Sequence, residues 1–229
     1  MIEILNTPLF GVIISIVAFE IGLYIYRKTK IAVFNPLLIS IGLIVTFLLK
    51  FNISLDTYNS GGSLISFFLG PATVILAVPL YKQFKIFKDN VVPIIIGITM
   101  GTITAIVSVP LLAKLFGLSE DISKSLIPKS ITTPIGIEVS KQVGGIPAVT
   151  VVAIIITGIL GAIIAPVIFK IFKVKDKVAV GISLGTGAHA IGTSKAIEIG
   201  ETEGAMSGLA IGIAGLITVI LVPLFIVFI

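Results

Sequence analysis

Residues 146–177 read IPAVTVVAIIITGILGAIIAPVIFKIFKVKDK. From Ile146 to Phe169 there is no charged side chain, and Lys170, Lys173, Lys175 and Lys177 follow at once. About 20 apolar residues in a helix cover a hydrocarbon layer about 30 Å thick. Inside lipid every backbone N–H and C=O must be paired within the segment, so this stretch reads as a membrane-spanning helix with a basic cytoplasmic flank. Runs of the same kind lie to either side, at Pro8–Tyr26, Ile31–Leu49, Gly61–Leu80, Val91–Ala113, Val178–Ile199 and Gly204–Phe228. The expected fold is an all-α polytopic membrane protein of about seven transmembrane helices.

Composition agrees with that reading and excludes several functions. The 229 residues are 56% hydrophobic and 12% charged, whereas a soluble domain carries about 25% charge. A chain of this size leaves too much surface exposed for a larger core to explain the deficit, so the lipid bilayer is the solvent. The net charge of +5 sits in short gaps between apolar runs, which makes it topogenic and gives no reason to expect a nucleic-acid partner. With no Cys and one His, thiolate and imidazole metal sites have too few ligands, and neither a metal nor a cofactor is expected. Met206-Ser207-Gly208 with His189 is similar to the nucleophile and base of intramembrane serine proteases, but position 205 is Ala where that motif has Gly, and no enzyme is expected. Pro8–Tyr26 lacks a basic n-region and a small-x-small cleavage site, so it reads as a retained span.

Orientation follows from the basic clusters. Arg27, Lys28 and Lys30 follow the first run, and Lys82, Lys85 and Lys88 follow the third. Placing them in the cytoplasm with the cluster after Phe169 puts the N-terminus outside and the C-terminus inside a bacterial cytoplasmic (inner) membrane. Lys114–Lys129 is then an external loop. Ser130–Val143, too short and too polar to cross, enters and leaves on one side as a re-entrant segment. The chain also echoes itself half a length apart. Leu69-Gly70 matches Leu184-Gly185, Gly101 and Thr104 match Gly215 and Thr218, and Val109-Pro110-Leu111 matches Val222-Pro223-Leu224. The expected organisation is one membrane domain over 1–229, with a repeat unit at 31–116, a link at 117–145 and an inverted second unit at 146–229, each of three helices with breaks in paired positions.

Two segments carry chemistry. The first is Pro128–Glu138 with Gly144-Gly145 after it. Ser130, Thr132 and Thr133 ahead of Pro134 make a helix start, where hydroxyls cap free N–H groups and proline fits the first turn. Held inside a membrane, that positive end would receive an anion; in an external loop it would be a capped surface helix. Gly144 and Gly145 would break the segment and turn the chain back. The second is Gly185–Glu198, with Thr186, His189, Gly192, Thr193, Lys195 and Glu198. Intramembrane ionisable groups mark a site or its partners, and small residues also permit close helix packing. His189 would donate to a carboxylate or carry a coupling proton. Gly70-Pro71 is the matching break in the first repeat. Lys195 and Glu198 are spaced to pair on one helix face, and Glu201 and Glu203 are placed at an external mouth. Glu20, inside the first run, has no evident partner.

Together these segments resemble the CidB/LrgB family. The matching residues are Pro128-Lys129-Ser130, Thr132-Thr133-Pro134-Ile135, Glu138, Gly144-Gly145-Ile146-Pro147, Gly185-Thr186, His189-Ala190, Gly192-Thr193, Glu198 and Glu203-Gly204-Ala205 with Ser207; Gly136 stands where Ala is expected. The resemblance implies a role in bacterial autolysis and programmed cell death, described as holin/antiholin-like control of murein hydrolase through a CidA/LrgA-type membrane partner. It also implies transport of small carboxylates, since a plastid relative moves glycolate and glycerate and bacterial relatives are tied to pyruvate. A selective site explains costly polar groups in lipid better than a hole does, so the expectation is a transporter of a small organic anion such as pyruvate or glycolate. Ser130, Thr132, Thr133, Pro134, Gly185, Thr186, His189, Gly192 and Thr193 would bind it. His189, Glu138, Lys195, Glu198 and Glu203 would couple or gate. The alternative is a regulatory subunit that acts by binding its partner. Gly208, Gly212 and Gly215 would support a homo-oligomer under either reading.

Overall fold

The computed structural model describes residues 7–29, 34–68, 71, 74–75 and 77–225, and the described residues are helical throughout their ordered elements. Two compact units divide the chain, Met1–Ile75 and Leu76–Ile229. The first holds α1 (Pro8–Thr29), α2 (Pro36–Lys50) and α3 (Leu55–Phe67). Asn35 accepts from the Leu37 N–H and Pro36 takes the first turn, so α2 starts there; the expected start at Ile31 lies outside the described residues. Its 15 residues cover about 22 Å, less than a full crossing. Ser54 likewise caps α3 through the Thr57 N–H, which starts that helix ahead of the expected Gly61. The Gly61–Leu80 run is not one helix, since α3 ends at Phe67 and α4 begins at Ala77. Pro71 is helical and exposed, whereas Leu69 and Gly70 lie outside the described residues. α1 and α3 approach until the backbones touch: a Cβ on Gly11 or Gly61 would run into the facing main chain. Ser15 and Tyr58 bond across that contact at 2.8 Å.

The second unit holds α4 (Ala77–Lys82), α5 (Phe84–Asp89), α6 (Val91–Leu115), α7 (Glu120–Leu126), a 3-10 turn (Ile127–Ser130), α8 (Thr133–Gln142), α9 (Pro147–Ile171), α10 (Lys177–Ile199) and α11 (Glu201–Phe225). Among the described residues, α1, α6, α9 and α11 are long and apolar enough to cross a membrane. Lys114–Lys129, expected as a loop, is mostly helical. Glu120 and Asp121 in the first turn of α7 suit the positive end of its dipole. α8 has 10 residues, about 15 Å or half a crossing.

Three apolar clusters and one polar one hold the unit, the smallest being Val180, Leu184 and Ala196 of α10 with Ala165 and Phe169 of α9 packed against it. Ile94 and Ile98 of α6 pack on Ala205, Met206, Ala210 and Ala214 of α11. Ile106 and Val109 meet Ile127, Ile131, Val139, Val143 and Val222 around the 3-10 turn and α8. Where α7, α8 and α9 converge, the Thr150 hydroxyl donates to the Ser125 carbonyl at 2.8 Å and the Ser140 hydroxyl at 2.7 Å. The Ile146 N–H donates to the Ser125 hydroxyl at 2.6 Å. Gly144, at φ +79°, turns the chain back into this lash.

Candidate functional site

The site is built on a break in α10. Ala188 (φ −128°, ψ 15°) and His189 (φ 41°, ψ −135°) leave helical geometry in the middle of that helix. The sequence places the interruption among glycines, but the left-handed residue is His189, where a side chain is strained and must be held by its surroundings. Its Nε2 lies 2.8 Å from the Ile154 carbonyl of α9. A carbonyl only accepts, so Nε2 carries the hydrogen. The imidazole reaches that carbonyl because Gly158 offers no side chain, and a Cβ there would meet the ring at 2.7 Å. Thr193 donates to the His189 carbonyl at 3.2 Å and pairs with the Ser207 hydroxyl of α11 at 2.7 Å. The Ser207 and His189 side chains therefore point to different partners. Gly185 and Gly192 admit the α11 backbone and the first half of α10 respectively, since a Cβ at either would collide with a carbonyl.

On the other side of α10, a cavity of about 410 Å³ lies between α6, the 3-10 turn and the first half of α10. Lys129, Ser130, Thr186, Ser183 and Thr104 give it its polar wall, and Gly97 and Gly101 give it space. The Lys129 ammonium donates to the Ser130 hydroxyl at 3.2 Å, and among the described residues it meets no carboxylate within 4 Å. Ser130 and Thr186 are buried. A smaller recess, lined by Thr102, Ser130, Thr186 and Thr218 among others, shares Ala105, Ser130 and Thr186 with the cavity. The Thr102 and Thr186 hydroxyls are buried without a hydrogen-bond partner among the described residues.

The chain is similar over nearly all its length to proteins of known family. The family described as LrgB-like matches residues 15–228. The chain belongs to the LrgB-like family. The Antiholin-like protein LrgB of Bacillus mycoides (strain KBAB4) is 38% identical over 224 residues, 97% of either chain. Relatives of the same name from Bacillus cereus (strain B4264) and Bacillus anthracis (strain CDC 684 / NRRL 3495) match to the same extent. No solved structure matches. With its long apolar helices, this LrgB-like chain is a multi-pass membrane protein.

Within the LrgB-like fold, the residues singled out from the sequence separate into groups. Ser130 and Thr186 share the cavity. His189, Gly192 and Thr193 face α9, the first half of α10 and α11. Thr132 is the residue before α8 and Pro134 lies in its first turn, but no side-chain cap bond forms there, so the expected hydroxyl cap is absent. Thr132, Thr133 and Pro134 are not among the residues lining the cavity. Glu138 pairs with Lys141 and Lys195 with Glu198, each at 2.8 Å on one helix face. Glu201 is exposed, 4.0 Å from Lys82. Glu203, expected at a solvated mouth, is instead 7% exposed. The tight turn at Gly200 folds its carboxylate against the start of α11, where the helix dipole favours it. Gly215, expected to support contact with a second copy, packs on Ile135 of the same chain. Glu20 lies on a groove of the first unit beside Ser15, Ser40 and Tyr58. Among the described residues no group of three His, Asp or Glu side chains could hold a metal ion.

Lys129 is the residue that sequence reasoning passed over. It sits inside the family motif, yet a single lysine at the end of an expected external loop reads as a scattered surface charge. Only its place beside Ser130 and Thr186 makes it a site residue. Thr102 carried no signal at all, being one hydroxyl in a long apolar run.

Proposed function

We propose that this protein carries small organic carboxylates such as pyruvate or glycolate across a bacterial cytoplasmic membrane, with the anion held at Lys129, Ser130 and Thr186. The observation that carries the reading is an ammonium that meets no carboxylate among the described residues, in a cavity walled by hydroxyls. A cation kept in a protein that lies in lipid is costly, and it marks a place where an anion completes the charge. Hydroxyls and a single ammonium suit one carboxylate, whereas a lysine in a passive hole would be solvated.

In this reading His189, Gly192 and Thr193 hold the break in α10, and Gly185 brings its first half against α11. Lys195, Glu198 and Glu203 cluster near the α10–α11 turn, where a change of access would be coupled to a proton, with Glu138 on α8. The repeat and span pattern of the sequence supplies the moving parts: about seven spans, α8 as a re-entrant segment, units 31–116 and 146–229 inverted about the link 117–145, and the N-terminus outside. α6 and α11 are the longest matched pair, each of 25 residues with a proline near the end.

The test is uptake of labelled pyruvate and glycolate into liposomes holding the purified protein alone, with and without a pH gradient. Saturable uptake is expected, and Lys129→Gln should lower it about 10- to 100-fold, the effect of losing a charge-assisted hydrogen bond. Uptake no greater than in empty liposomes from folded protein would sink the reading.

A second reading is favoured by the relatives' printed name, Antiholin-like protein LrgB. It makes this chain a regulator of autolysis that acts through a small CidA/LrgA-type membrane partner, and it predicts co-purification with that partner and no flux alone.

A further inference from the structure

We infer that α10 does not cross the membrane but enters from the cytoplasmic face and returns to it, so that the cavity at Lys129 lies where two re-entrant hairpins from opposite faces meet. Each face of the membrane then supplies one half of the site, whichever anion the cavity takes.

The contacts along α10 show the reversal. At 1.5 Å per residue, an unbroken helix would set Val180 and Ala196 about 24 Å apart. They instead share one apolar cluster with Leu184. Nearer the break, a Cβ on Gly192 would meet Ala188 at 2.7 Å and run into the Leu184 carbonyl. The second half of α10 therefore lies back along the first, with the turn at Ala188 and His189. α11 records the same reversal. A Cβ on Gly181 would meet Glu203 and Met206, and one on Gly185 would meet Ser207 and Ala210, so the first half runs beside α11 in the same direction. After the break Thr193 bonds Ser207, and a Cβ on Gly204 would meet Ile197. The second half thus runs back to the start of α11.

α7 and α8 are the counterpart. Ser125 and Ser140 meet at the Thr150 hydroxyl, and Gly136 lies against the Pro128 carbonyl, which closes Glu120–Gln142 into a hairpin around the 3-10 turn. The two hairpins open at opposite ends of α9, the first beside Thr150 and the second beside Phe169. Both reach the middle of that helix: a Cβ on Gly136 would meet the Ile154 side chain, and His189 bonds the Ile154 carbonyl. Their tips share the cavity, Lys129 and Ser130 from one and Thr186 and Gly187 from the other. Glu120–Gln142 also covers as many residues as Lys177–Ile199, 23. Each hairpin follows a helix of 25 residues with a proline in the same place, Pro110 in α6 and Pro166 in α9. The repeated unit is therefore one span with one hairpin, shorter than the half-chain unit taken from the sequence echoes. A single crossing per unit inverts the second copy.

Charge sets the faces. Lys170, Lys173, Lys175 and Lys177 hold the open end of α10 in the cytoplasm, and Glu201 at the start of α11 lies 4.0 Å from Lys82 of another basic cluster. α11 then runs parallel to α6, with Ile94 and Ile98 against Ala205 and Ala210, and Ile106 and Val109 in one cluster with Val222. Phe225 accordingly ends on the outer face, and Glu201 and Glu203 on the inner one, the reverse of the expected arrangement. α10 is not among the helices long and apolar enough to cross, and its packing between α9 and α11 gives a re-entrant backbone the protein cover that it needs.

Single cysteines in the full chain, treated in intact cells with a membrane-impermeant thiol reagent, test the arrangement. Lys175→Cys and Glu198→Cys lie at the two ends of α10, and Glu120→Cys and Lys141→Cys at the two ends of the other hairpin; all four positions are exposed. The first pair should stay unlabelled until the membrane is permeabilised, and the second pair should react at once. Glu198→Cys that reacts in intact cells while Lys175→Cys does not would show that α10 crosses, and would overturn the inference. Fusions after Ile229 decide the matter even if a cysteine variant fails to insert. Alkaline phosphatase placed there should be active and green fluorescent protein dark, whereas a fluorescent fusion beside an inactive phosphatase would overturn the inference as well.

Discussion

His189 carries two burdens that pull against each other. Its backbone lies at φ 41°, a conformation that costs a residue with a side chain on the order of 1–3 kcal/mol. Its ring bonds the Ile154 carbonyl from 4% exposure, which ties α9 to the break in α10. Removing the ring loses the bond in any variant, but only glycine also relieves the backbone. His189→Gly should therefore melt higher than His189→Ala by about 1 kcal/mol in stability, opposite to the order of the two residues in a regular helix. Thermal melting followed by circular dichroism reads this in a chain with no Trp, and an alanine variant at least as stable as the glycine variant would show that the break is not strained. The sequence marks the interruption but not its residue. Gly185, Gly187 and Gly192 are the natural places for positive φ, yet Gly185 and Gly192 serve close packing instead.

Among the elements, the segment from α7 to α8 is the one whose position depends on hydroxyls more than on apolar area. Thr150 is fully buried and its single hydroxyl hydrogen is shared between Ser125 and Ser140. Thr150→Val fills the same volume but leaves those acceptors unpaired, at a cost of about 1–3 kcal/mol. The expected result is faster amide exchange over residues 120–146 with little change in α6 or α11; uniform protection across the protein would show that the lash is not what holds the segment. How much of the elements was legible varies with the signal. The long apolar runs gave α6, α9 and α11 within a few residues, because twenty uncharged residues admit one solution in lipid. Local caps were overlooked where an apolar run continued past them, as at Asn35-Pro36 and Ser54. α7 reads as a loop in the sequence because its seven residues are mostly polar, and its burial of Ser123 and Ser125 comes only from its neighbours.

For the whole molecule, the proposed orientation makes a prediction of its own. The chain has no Cys, so single cysteines can be introduced without background. Cysteines replacing Lys28, Lys85 and Lys173 should react with a membrane-impermeant thiol reagent only from the cytoplasmic side, and one replacing Lys114 only from outside. Reaction of the first three from outside would invert the topology. The candidate site was half legible at this scale. Ser130 and Thr186 are far apart in the chain and were paired by the family motif, but spacing alone does not reveal which face of α10 each residue takes. His189 and Thr193 accordingly turned out to face α9 and α11, away from the cavity wall.

The division at Ile75 and Leu76 also sets an order of events during synthesis. The contact of Ser15 with Tyr58 and the touching backbones at Gly11 and Gly61 are all encoded before residue 76. At roughly 5–20 residues per second, translation of residues 76–229 takes on the order of 10–30 s. The first three helices can settle against one another throughout that interval. Gly185, by contrast, has no surface to meet until Ser207 has been added, so the broken helix waits for α11, and the cavity takes shape well after the first unit.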